Sequence, residues 1–155
     1  MWSFINDERG LTEPYADLPA MALAVSGFVI FVALLAQAYA AYDEKAFIAE
    51  HYQDARNLAM KLTRDPALAA DTRSDLIDAV KFDAVSRDRN ATFDLMDRYG
   101  GHFGFMVKLE GGNYTGAIMN NTSSFGAAAS IPVTVKLNDV QSVPGSLTVK
   151  LWRKR

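Results

Sequence analysis

At 155 residues with no cysteine, the chain has room for one domain and no means of making disulfides, thiolate metal sites or a cysteine nucleophile. Its 16 basic and 18 acidic side chains leave a formal net charge of −2, so it lacks the strongly basic surface that binds nucleic acid. Two histidines, His51 and His102, are too few for a histidine-rich metal site.

Residues 1–10 are short and polar, with Arg9 as their one cation. They are followed closely by an apolar run, residues 18–42, that contains no Asp, Glu, Lys or Arg. Ser26 and Gln37 are its only clearly polar side chains, and no polar face emerges at helical spacing. As a helix the run spans about 37 Å, enough to cross a hydrocarbon core of about 30 Å with some tilt. A secretory signal would place basic residues before the run and a cleavage site after it. Here the segment before it is acidic apart from Arg9 and the helical pattern continues past Tyr42, so the run is expected to be retained. Lys45, Arg56 and Lys61 follow the run. By simple count they would hold the C-terminal side in the cytoplasm, but a long domain translocates largely regardless of charge.

Residues 43–64 contain neither Gly nor Pro, and Ile48, Tyr52, Ala55, Ala59 and Leu62 recur at spacings of three and four. Phe47, Leu58 and Met60 broaden that face. The pattern predicts one helix within residues 11–64, apolar all round in its first half and amphipathic in its second. Asp65-Pro66 ends it, because the residue before proline is disfavoured in the helical region.

Residues 65–155 then form a head. Asp71, Thr72, Ser74 and Asp75 offer N-caps for a helix through Leu76, Ile77 and Val80, and Asn90 or Thr92 for a second that stops at Gly100. From Phe103 the period falls to two: Phe103, Phe105, Val107 and Leu109 alternate with smaller or polar residues. A turn at residues 110–113 returns the chain as a strand from Tyr114 to Met119. Residues 120–129 and 138–145 read as loops, between and after which Val133, Val135 and Leu137, then Leu147, Val149 and Leu151, mark two further strands. The expected fold is α+β: a long N-terminal helix packed on a four-stranded antiparallel sheet. The last six residues, which carry Lys150, Arg153, Lys154 and Arg155, are expected to be a solvated basic end.

Four triplets fit the N-glycosylation acceptor, at Asn90, Asn113, Asn120 and Asn121, the last two overlapping so that at most one takes a sugar. All lie after the long helix, as expected of an extracytoplasmic head, although a turn-rich sequence with many Ser, Thr and Asn also generates such triplets. The scattered aspartates lack the ligand run of a calcium loop and are expected on solvated helix faces. No nucleophile elbow, phosphate loop, dinucleotide fingerprint or zinc-protease motif is present, so the chain is not expected to be an enzyme or to need a cofactor or a metal.

The order of parts resembles that of type IV pilin-like subunits, most closely the archaeal kind. Arg9-Gly10-Leu11, a few residues before the apolar run, is similar to the class III signal of that family. The ending from Val143 through Pro144, Gly145 and Leu147 to Trp152 also resembles small archaeal pilin-like proteins. The resemblance implies cleavage between Gly10 and Leu11 by a prepilin peptidase-like protease. It implies a subunit held in the membrane before pilus assembly machinery packs it, helix against helix, into a cell-surface filament of copies of itself. The filament and membrane contacts would then fall on Glu13, Met21, Phe28, Ile30, Phe31, Leu34 and Leu35. Glu13 would stand third in the mature chain, where bacterial type IV pilins carry their glutamate fifth. Sugars would coat the head. The alternative is a single-span anchor that never polymerises and carries a sensor, a binding module or an accessory subunit of a membrane complex.

Overall fold

The computed structural model describes residues 9–70, 73–119 and 125–154. The chain divides after Asp43 into two units. One helix, α1 (Arg9–Leu62), runs through both. The absence of Gly and Pro from residues 43–62 lets the amphipathic half continue the apolar half without a break.

The second unit is an α+β head in which the last turns of α1 pack on a sheet. The expected four-stranded antiparallel sheet is corrected to a mixed sheet of six strands in the order β1-β2-β5-β6-β3-β4. The strands are β1 (Ala69–Ala70), β2 (Arg73–Asp78), β3 (Phe103–Gly111), β4 (Tyr114–Ile118), β5 (Ala127–Asn138) and β6 (Gln141–Arg153). Strands β3 to β6 are the antiparallel set expected from the alternation. The addition is β2, which runs parallel to β5 with Leu76 opposite Thr134 and Asp78 opposite Lys136. Its apolar residues, Leu76 and Ile77, are adjacent rather than alternating, and the residues before them are good helix caps. Local preference therefore pointed to helix, and pairing with a strand nearly sixty residues away overrides it.

The helix expected there begins later, as α2 (Ala79–Arg87), capped by Asp78, whose carboxylate accepts from the backbone N–H of Val80 at 2.9 Å. Asp88 joins α2 to α3 (Arg89–Gly100). Its N–H closes α2 on the Ala84 carbonyl, and its side chain accepts from Asn90 N–H at 2.9 Å to open α3. Asp88, not Asn90 or Thr92, is thus the cap. Gly101, at φ +47, ends α3 in a conformation that an L side chain resists.

Of the two regions read as loops, residues 127–129 open β5 and residues 141–145 open β6. β5 begins at Ala127, and β5 and β6 meet in a turn so tight that Asn138 pairs with Gln141. Pro132 and Pro144 are tolerated because each sits where its strand has a partner on one side only. The β2–β5 pairing begins at Thr134 and the β3–β6 pairing stops at Gly145. The basic end is solvated yet part of the fold: Lys150 and Arg153 belong to β6, Arg153 and Lys154 are exposed, and Lys154 Nζ donates to the Gly101 carbonyl at 3.0 Å.

The core lies on one face of the sheet. Phe105, Val107 and Leu109 of β3 and Leu147, Val149 and Leu151 of β6 are buried against Phe82 of α2, Leu95 of α3 and Ala55, Leu58, Ala59 and Leu62 of α1. Full burial of each large side chain contributes about 1.5–3 kcal/mol. The seam of α1 read in the sequence is buried at Phe47, Ala55, Leu58, Ala59 and Leu62 but not along its whole length. Ala55 and Ala59 are completely buried, whereas Ile48, Tyr52 and Met60 stay exposed.

Candidate assembly helix and acceptor sites

Every residue from Asp17 to Ala46 is exposed. The run includes Met21, Phe28, Ile30, Phe31, Leu34 and Leu35, each between 44 and 67% accessible. At about 100° per residue, Met21, Phe28, Phe31 and Leu35 fall on one side and Ile30 and Leu34 on the other. No face is set aside for water. Ser26 returns its hydroxyl to the Ala22 carbonyl at 2.7 Å, which satisfies that polar group within the helix itself. A Cβ on Gly27 would meet nothing within 4 Å, so the helix presents bare backbone there. Gly10, Leu11 and Glu13 lie within α1, and their side chains fall outside the described residues, as do residues 1–8. α1 is long and apolar enough to span a membrane, by length and composition.

Within the head, polar ties hold the end of α1. Asp65, 2% accessible, accepts from the backbone N–H of Ala67 at 2.8 Å, from Arg98 at 3.2 Å and from the Tyr99 hydroxyl at 2.6 Å. Burial, and then the hydrogen bond to Asp65, pushes the Tyr99 phenol above its ordinary range. Arg98 also pairs with Asp94, and that pairing, with Asp65 behind it, raises the guanidinium further. The Asp65-Pro66-Ala67 turn was legible as a helix stop. Its role as a buried anion was not, because the partners lie 33 and 34 residues on.

His51 is not a free surface residue. Its ring lies between Phe47 and Phe103, with centroids at 4.5 and 4.8 Å, and Nδ1 is 2.9 Å from Asp54. Beside it runs a groove of about 270 Å³ with Asn57 and Lys61 on one side and Arg98 and Tyr99 on the other. Arg98 and Tyr99 are engaged with Asp65, and Asp54 is engaged with His51. Among the described residues no three His, Asp or Glu side chains stand together as a metal site would need.

The acceptor triplets differ in geometry. Asn113 is exposed in the β3–β4 turn, and Thr115 is exposed on β4. Asn90 is exposed in the first turn of α3, but Thr92 is buried and its hydroxyl donates to the Val85 carbonyl at 2.7 Å. Asn120 and Asn121 lie outside the described residues. No family model, no curated protein and no solved structure matches the chain.

Proposed function

We propose that the chain is a structural subunit of a type IV pilus-like cell-surface filament of the archaeal kind. One observation carries this reading: an uncharged helical run, exposed on all sides, continues without a break into a helix whose end packs on a β-sheet head. Such a run needs an apolar surrounding, since each large side chain gains about 1.5–3 kcal/mol on leaving water. The bilayer supplies it first and other copies of the same helix supply it afterwards. Ala20, Ala22, Ala24, Ser26, Gly27 and Ala33 keep parts of the surface small enough for helices to approach closely. In this reading a prepilin peptidase-like protease cuts after Gly10, assembly machinery packs the subunits, and the head faces outward.

The test is made on material sheared from native cells. Filaments in that fraction are expected to contain this chain, with Leu11 as its N-terminus by mass spectrometry. Phe31→Asp, which adds about 3 kcal/mol to the cost of placing the helix centre in an apolar phase, is expected to abolish them. Absence of the chain from every filament, with the protein retained in the membrane fraction, overturns the filament reading in favour of a single-span anchor.

A further inference from the structure

We propose that Asn113 is an N-glycan acceptor of the folded head, and that Asn90, with the same kind of triplet, is closed to modification. The inference rests on the reading that the head lies outside the cytoplasm. A transferase acting on Asn-x-Thr must engage the asparagine carboxamide and the threonine hydroxyl together, on a segment it can hold in extended form.

At Asn113-Tyr114-Thr115 both side chains the enzyme reads are open, and Tyr114 and Thr115 are already extended at the start of β4, an edge strand paired with β3 alone. Gly112, at φ +59, turns the chain at the end of β3 and leaves Asn113 at the tip. Asn113 and Thr115 are exposed, and neither side chain has a hydrogen-bond partner among the described residues. Between them Tyr114 folds back over the head, its hydroxyl donating to Asp83 at 2.6 Å. The triplet is thus anchored at its middle residue and open at both residues the enzyme reads.

At Asn90-Ala91-Thr92 the carboxamide is exposed but the rest is not. The triplet is the first turn of α3, with Asn90 N–H donating to Asp88 at 2.9 Å and Thr92 N–H donating to the Asp88 carbonyl at 2.9 Å. The buried Thr92 hydroxyl is committed to Val85. Presenting it would require unwinding α3 and breaking its contact with α2.

The donor is a lipid-linked glycosyl phosphate. Asn113 Nδ2 bonds to the anomeric carbon as the carbon–oxygen bond to phosphate breaks. The lipid phosphate leaves with that electron pair, and one Nδ2 proton passes to a base of the transferase.

The full chain from its native host is analysed by intact mass and site-localising fragmentation. A sugar increment is expected on Asn113 and none on Asn90. Asn113→Gln should lose that increment, whereas Asn90→Gln should leave every sugar increment in place. A bare Asn113, or a sugar on Asn90, overturns the proposal. Val140, 96% accessible at the β5–β6 turn, supplies an independent reading of sidedness. Because the chain has no other cysteine, Val140→Cys reports to a membrane-impermeant maleimide on intact cells. Labelling with a bare Asn113 refutes the acceptor alone. Failure to label until the membrane is opened refutes the outward head, and the acceptor with it.

Discussion

The Tyr99 hydroxyl donates a 2.6 Å hydrogen bond to the Asp65 carboxylate, and this contact ties the end of α1 to α3. The Asp65 side chain is 1% accessible, while Arg98, which shares it, is half exposed. The carboxylate is therefore the buried partner of the pair and the one whose removal is felt. Asp65→Ala leaves the Ala67 N–H and the Tyr99 hydroxyl without their acceptor and is expected to destabilise the head by about 3 kcal/mol. Tyr99→Phe deletes one bond and should cost about 1 kcal/mol. Thermal unfolding of the full chain in detergent, followed by near-ultraviolet circular dichroism, ranks the two variants. Equal effects would show that the carboxylate is not the centre of the network.

Asp78 stands where β2 becomes α2, its last residue in the strand and its side chain already capping the helix. Asp78→Ala should destabilise the head by about 1 kcal/mol, and Asp78→Asn or Asp78→Ser by less, because either can still accept from the Val80 N–H. The same melts, compared across the three variants, check the order. If alanine is tolerated as well as serine, the cap contributes nothing.

Two phenols couple the head to alkaline pH. Burial and then the bond to Asp83 push Tyr114 far above its ordinary value of 10.0, and burial and then Asp65 push Tyr99 the same way. A phenol whose folded pKa is raised stabilises the fold fully below pH 10 and loses that contribution as pH rises through the folded value. The melting temperature is therefore expected to fall above about pH 10. Tyr114→Phe should lower stability at neutral pH by about 1 kcal/mol and make the alkaline fall shallower. Melts between pH 8 and pH 11, paired with phenolate absorbance, test the sign. An unchanged slope in the variant would remove Tyr114 from the coupling.

What the amino-acid order determines alone is whatever depends on neighbours a few positions away. Residues 18–42 carry no charge and show no polar face, so the apolar helix is legible before any packing is known. So are the helix stop at Asp65-Pro66 and the antiparallel strands that alternate through Phe105, Val107 and Leu109. The acceptor triplets are legible as triplets. Tertiary structure decides what rests on distant partners. β2 is a strand because β5 receives it, although its own residues favour a helix start. Ala127 and Ala129 are strand because β6 pairs with them, despite their weak preference for it. His51 and Asp65 look like ordinary polar residues until Phe103, Arg98 and Tyr99 are brought against them. Asn90 and Asn113 carry equivalent motifs, and only the fold, by burying Thr92 and exposing Thr115, makes them unequal. The physical reason is common to all four cases: local order specifies backbone preference and polarity, whereas burial and pairing are properties of the assembled head.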